Sequence, residues 1–178
     1  MKIQLRPYIL QDQNQLVLLA NNPNVSANLN DQFPYPFTNQ DALNCINKAN
    51  QPNSRIIEFA ITVDQIFCGA ISFTFGHDIY SHCGEIGYWL GQPYWNLGIM
   101  NQAIKQMIEY IFTNYDTKII VARVFSRNLA SKKILVKNNF ELLVSLKNYG
   151  YKRGEFLNIE LYELTIEKYQ LSLKNQSI

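Results

Sequence analysis

The sequence predicts a single mixed α/β domain: one sheet with helices on its faces. Three observations carry this. The chain has 178 residues, long enough for one well-buried domain and short for two. Hydrophobic residues make up 47% and charged residues 17%, an ordinary globular balance. The apolar spacing alternates between strand and helix periods in the order β-α-α-β-β-β-α-β-α-β-β.

The elements follow in turn. "KIQLRPY" alternates Ile3 and Leu5 and breaks at Pro7, a short first strand. Asp12 precedes "QNQLVLLANN", whose Leu16, Leu19 and Ala20 suit a helix ending near Asn21–Asn22. "FPYPF", 33–37, reads as an aromatic loop broken by proline. Thr38 with Asp41 resembles a capping box, opening a helix to about Asn50. "RIIEFAITV" and "IFCGAISFTFG" are strand-like, with "DQ" between them as a tight hairpin turn. "HDIYSH" makes a turn into a fourth strand, "CGEIGYWLG". From Met100, apolar residues recur at helical spacing through Phe112, directly after Gly98. "KIIVARVF" is a buried fifth strand, and "NLASKKILVKNN" a short helix with Asn or Ser near its start. "FELLVSL" is a sixth strand, "KNYGYKRG" a basic aromatic loop, and "FLNIELYELTIEKY" a long seventh strand.

Composition narrows the function. A formal net charge of +2 is too small for a nucleic-acid footprint. Three cysteines without CxxC spacing argue against a disulfide framework. The first residues carry no apolar signal core, and no apolar run reaches the roughly 20 residues of a membrane span. A reduced cytoplasmic protein with no membrane or nucleic-acid partner is expected. His77 and His82 lack the spacing and company of a metal site, so no metal is expected.

The chemistry concentrates in "PYWNLGIMNQAI", 93–104. A strand ends just before it and a helix begins inside it. The first amides of a helix have no partner within it, and the dipole favours an anion there. Neither a GxxxxGK[ST] nor a GxGxxG pattern is present. The residues alone thus leave open an anion site or a plain helix start.

Together with its neighbours, "EIGYWLGQPYWNLGIMNQAI" resembles the acetyl-CoA segment of the GNAT superfamily of N-acetyltransferases. "VARVFSRNLASKKILVKNNF" resembles that superfamily's following strand and Asn-x-x-Ser helix. "LRPYILQD", "FPYPFT" and "FAITVDQIFCGAISF" match its earlier parts in order, so the resemblance spans about residues 3–168, and it points to the RimJ/RimL type, the ribosomal-protein N-terminal acetyltransferases. It implies a GNAT-like domain over 1–170 with a tail over 171–178. The implied sheet is seven-stranded and mostly antiparallel, flanked by about four helices. The chain departs from the pattern at Trp95, Asn96, Leu97 and Met100 in the loop, and at Asn139 where a helix-ending Gly is usual.

The resemblance implies acetyl transfer from acetyl-CoA to a primary amine, first a protein N-terminal α-amine. An aminoglycoside, polyamine or amino-acid-like amine is the alternative acceptor, and a binding-only acyl-CoA protein the alternative function. Glu85 takes the place of the base that deprotonates the amine through water, beside a structural reading as a polar strand acid. Ser131 takes the place of the group that serves the departing sulfur, beside a helix-capping reading. Tyr88, Trp89 and Leu90 would pair with the pantetheine and supply an oxyanion donor. Trp95, Asn96, Leu97, Gly98, Ile99 and Met100 would hold the pyrophosphate, Asn128 the pantetheine chain, and Lys132 or Lys133 the 3′-phosphate. Phe33, Tyr35 and Tyr151 would wall the acceptor site, with Arg153 near it. A monomer or homodimer is expected.

Overall fold

In the computed structural model, residues 1–52 and 55–175 are described. The elements are β1 (Ile3–Arg6), α1 (Gln13–Ala20), α2 (Pro23–Ser26), α3 (Asn39–Ala49), β2 (Ile56–Val63), β3 (Ile66–Phe75) and β4 (Cys83–Leu90). They continue with α4 (Ile99–Asn114), β5 (Ile119–Phe125), α5 (Leu129–Lys137), β6 (Glu141–Lys152), β7 (Glu155–Thr165) and α6 (Ile166–Asn175). The strands form one seven-stranded sheet in the order β1-β2-β3-β4-β5-β7-β6. β1/β2, β5/β7 and β6/β7 pair antiparallel, while β4 and β5 pair in parallel. This is the mixed, mostly antiparallel sheet expected. The chain divides into two compact units, Met1–Phe73 with Gly87–Met107 and Thr74–Ile86 with Ile108–Ile178. β3, β4 and α4 each run from one unit into the other.

In the first unit, the "DQ" turn holds because Asp64 and Gln65 both take positive φ, 47° and 72°, the twist that suits a two-residue hairpin. Thr38 and Asp41 form the expected capping box: Thr38 Oγ1 accepts the Asp41 amide at 3.1 Å, and Asp41 Oδ2 accepts the Thr38 amide at 2.8 Å. Arg6 grips the buried Asp12 with two nitrogens, at 2.6 and 2.7 Å, tying β1 to the start of α1 with a bidentate pair. The core gathers Tyr8, Leu16, Leu19, Phe37, Ile46 and Phe67. Gly69 permits the closest backbone approach here: a Cβ on it would stand 2.3 Å from the Trp89 carbonyl oxygen.

In the second unit, α5 ends in a Schellman motif. The Phe140 amide donates to the Leu135 oxygen at 3.1 Å and the Asn139 amide to Val136 at 3.0 Å. Asn139 carries φ 65°, so it does the work of the usual glycine.

Three expectations change. "KNYGYKRG" is not a loop, because β6 continues to Lys152 and only Arg153–Gly154 turn, at φ 51° and 86°. The register with β7 shifts between Leu146 and Gly150, and the Asn148 amide donates to Asn158 Oδ1 at 2.9 Å. A bulge therefore absorbs residues whose low strand propensity suggested a loop. The seventh strand stops at Thr165, whose Oγ1 accepts the Lys168 amide at 3.4 Å and starts α6. Residues 171–175 of the expected tail belong to that helix, and 176–178 lie outside the described residues. There are six α-helices among the described residues rather than about four. The added ones are α6 and the single-turn α2, which Asn22 caps ahead of Pro23 by accepting the Asn24 amide at 2.8 Å.

Candidate active site

The loop between β4 and α4 takes its path from two left-handed residues. Asn96 has φ 61° and Gly98 φ 76°. Asn is the non-glycine residue that visits this region most cheaply. A Cβ on Gly98 would meet nothing within 4 Å, so conformation and not crowding calls for glycine, and space lies open beside the backbone. Ile99 and Met100 are 1% and 6% exposed. Their side chains turn into the core, so Met100 does not crowd the loop. Asn96, Leu97 and Gly98 are exposed. The Gln102 amide bonds back to the Gly98 oxygen at 3.3 Å, which sets the first turn of α4, and the opening amides of a helix are those it can offer to an anion. The Trp95 indole N–H donates to the Leu90 oxygen at 2.7 Å, fixing the loop to the end of β4. The Gly91 amide donates to the Cys68 oxygen at 2.9 Å, fixing that end to β3.

The first unit also holds a cavity of about 250 Å³. Gly87, Tyr88 and Trp89 of β4 form one side of it, Phe33 another, and Tyr8, Cys45, Lys48 and Glu58 bring titratable groups. Phe33 stacks on Phe37 at 4.9 Å and meets Trp89 edge-on at 5.3 Å. The Tyr8 hydroxyl donates to Glu58 Oε1 at 2.9 Å. Burial raises the Glu58 carboxyl above its ordinary range, against the lowering effects of the Tyr8 hydrogen bond and of Lys48. Burial pushes the Tyr8 hydroxyl well up, with the Glu58 charge adding to it, and pushes the Cys45 thiol up to about 11. Of the expected acceptor residues, Phe33 lines this cavity. Tyr35 is exposed and outside its lining. Tyr151 is exposed on β6, edge-on to Phe156 at 5.2 Å.

In the second unit, Glu85 on β4 pairs with Arg123 on β5. Burial raises the Glu85 carboxyl, and the guanidinium opposes it. Asn128 caps α5, its Oδ1 accepting the Ser131 amide at 3.1 Å, and Ser131 is buried. Lys132 bonds Glu160 at 2.8 Å, and Glu160 in turn accepts the Tyr162 hydroxyl at 2.8 Å. That pairing commits Lys132 within the fold and leaves Lys133 as the candidate for the 3′-phosphate.

With this geometry in view, the sequence profile of the acetyltransferase (GNAT) domain matches residues 2–141. The chain belongs to the GNAT acetyltransferase family. It is 27% identical over 175 residues to the uncharacterised N-acetyltransferase p20 of Bacillus licheniformis, covering 94% of this chain and 95% of that one. The fold is shared with the structure of RimL, the ribosomal L7/L12 α-N-protein acetyltransferase in complex with coenzyme A. The TM-score is 0.83 at 21% identity, over 94% of this chain and 96% of that one. It is shared too with the microcin C7 self-immunity acetyltransferase in complex with acetyl-CoA and AMP, with TM-score 0.81 at 22% identity over 93% of each chain. As a GNAT protein the chain is an acyltransferase, so the binding-only alternative is not retained.

The Tyr8–Glu58 pair went unforeseen in this GNAT chain. Glu58 sits in "RIIEFAITV" as one acid among apolar residues. That single break in an apolar run was the available signal. Nothing in the spacing joins it to Tyr8.

Proposed function

We propose that the chain transfers an acetyl group from acetyl-CoA to a primary amine, with a protein N-terminal α-amine as the first acceptor. The observation that carries this reading is the Asn96–Gly98 backbone, two left-handed residues opening α4, within a GNAT chain. In this reading the loop amides from Asn96 to Met100 hold the coenzyme's pyrophosphate, so Asn96 in place of a glycine and Leu97 in place of a basic residue are tolerated. Tyr88, Trp89 and Leu90 run beside the pantetheine, and a backbone N–H of that stretch meets the oxyanion that forms on the thioester. RimL, an α-N-protein acetyltransferase by name, supports the choice of acceptor.

Glu85 enters the proposal differently from the expectation drawn from the motif. Its carboxylate is engaged by Arg123, and although burial raises its carboxyl on balance, the ion pair occupies it between neighbouring strands. We assign it to joining β4 to β5. A small singly charged amine is the second reading, favoured by the modest cavity of about 250 Å³.

The test is thiol release from acetyl-CoA by the full chain, against peptides with free N-termini, the same peptides N-terminally blocked, and small amines. Release with free but not blocked peptides is expected. Absence of acetyl-CoA binding, or of release with every amine, would sink the proposal.

A further inference from the structure

The cavity beside β4 holds one acid among its described lining residues, Glu58, and one base, Lys48. Its walls are otherwise aromatic, aliphatic or neutral polar. Among the described residues, the hydrogen bond to the Glu58 carboxylate is the one from Tyr8. A carboxylate accepts at about four lone-pair positions, so most of that capacity is left for something else. A half-buried carboxylate in apolar surroundings is costly unless a cation or donors meet it. Tyr8 is 4% exposed, so its hydroxyl is held in place as a donor and orients Glu58. Trp89 and Phe33 line the same space, their rings meeting edge-on at 5.3 Å, and rings attract an ammonium.

We infer that this cavity receives the acceptor's ammonium group, and that Glu58 pairs with it and takes its proton before attack. The inference rests on the acetyltransferase reading. The ammonium gives one proton to the Glu58 carboxylate, and the freed nitrogen lone pair attacks the thioester carbonyl carbon. The C–S bond then breaks with its electron pair on sulfur. The second nitrogen proton neutralises the thiolate, and Glu58 returns its own proton to solvent. The products are the amide, the free thiol of coenzyme A and one proton.

The same lining sets a substrate class. One carboxylate meets one ammonium. Lys48 repels a second cation, and no second acid lines the space among the described residues. The acceptor is therefore a singly charged primary amine on a neutral or apolar body, not a polyamine. The raised Glu58 carboxyl agrees with the geometry. Its charged and titratable neighbours are Tyr8 from the segment after β1, Cys45 and Lys48 from α3, and Tyr88 from β4.

The experiment uses the full chain with acetyl-CoA and a neutral peptide bearing a free N-terminus. Glu58→Gln is expected to lower kcat/KM by about 100-fold or more, the usual cost of losing a general base, with acetyl-CoA affinity unchanged within about twofold. The wild-type kcat/KM should level off above the Glu58 titration, while in Glu58→Gln it should keep rising with pH as free amine accumulates. Tyr8→Phe removes a donor that favours the anion, so the acid limb should move to higher pH. This second variant decides the matter if Glu58→Gln fails to bind acetyl-CoA. Wild-type kcat/KM and pH profile in Glu58→Gln, or an unmoved limb in Tyr8→Phe, overturns the inference and leaves the acetyltransferase reading standing. A diamine turned over as well as the matched monoamine overturns the substrate class. Failure of the wild type to bind acetyl-CoA or release thiol with any amine overturns the reading and the inference together.

Discussion

The Tyr8 hydroxyl and Glu58 Oε1 lie 2.9 Å apart, although 50 residues separate them in sequence. β1 and β2 pair antiparallel, with Arg6 opposite Ala60, and this register carries Tyr8 past the end of β1 to Glu58. The pair makes stability depend on pH. Burial raises the folded-state Glu58 carboxyl above its value in the unfolded chain, so the folded protein holds that proton more tightly. The resulting stabilisation is complete below the ordinary carboxylate value and is lost as pH rises through the raised one. Glu58→Gln should therefore gain stability relative to the wild type at neutral pH and lose that advantage near pH 4. A gain of roughly 0.5–2 kcal/mol at neutral pH is a usual yield for relaxing a functional site, or about 2–4 °C per kcal/mol in a chain of this size. Thermal melts of both proteins across that range check it. A difference independent of pH would contradict it.

Asn96 stands where its left-handed backbone, φ 61°, shapes the loop. Asn96→Gly should keep both stability and acetyl-CoA affinity. Asn96→Val places a β-branched side chain in a region that costs about 1–2 kcal/mol per residue. Acetyl-CoA affinity should then fall about tenfold as the loop relaxes. Calorimetric titration of both variants is the measurement, and equal affinities would rule out a loop held by its backbone path.

Gly69 lets β3 and β4 approach. A Cβ there would stand 2.3 Å from the Trp89 oxygen and 2.9 Å from the Leu90 Cα, and neither backbone atom can swing aside as a side-chain tip can. Gly69→Ala should cost about 1–3 kcal/mol and weaken acetyl-CoA binding, because it displaces the end of β4. Denaturant unfolding beside a binding titration tests both effects.

Asn128 caps α5 through the Ser131 amide, so Asn128→Ala should cost about 1 kcal/mol of stability. If Ser131 also serves the departing sulfur, Ser131→Ala should lower kcat with the KM for acetyl-CoA unchanged. Arg123→Ala and Glu85→Gln should each leave turnover within about threefold, because their pair is assigned to joining strands. A hundredfold loss in Glu85→Gln would return the proton transfer to that residue.

Much of this molecule was legible in the sequence because its local rules agree with its fold. The Thr38–Asp41 box, the Asp64–Gln65 turn and the Asn139 helix end each rest on interactions within a few residues. Periodicity reads such interactions well. The β6 bulge was not legible, since it depends on what β7 places opposite Asn148. Nor was α6, where alternating apolar residues continue past Thr165 into a helix. At the site, the loop from Trp95 to Met100 was visible as a motif, and so was Phe33. The burial of Met100 followed from helix spacing. Tyr8 and Glu58 were invisible, because their meeting is a product of strand register and not of any pattern along the chain. The Glu85–Arg123 and Lys132–Glu160 pairs were hidden for the same reason.

In the proposed function a loop with one glycine holds the coenzyme's phosphates through its backbone amides. Amide-resolved NMR during an acetyl-CoA titration tests it most directly. The largest shifts are expected at the amides of Leu97, Gly98, Ile99 and Met100, at the start of α4. Acetyl-CoA binding that leaves those amides unmoved would contradict it.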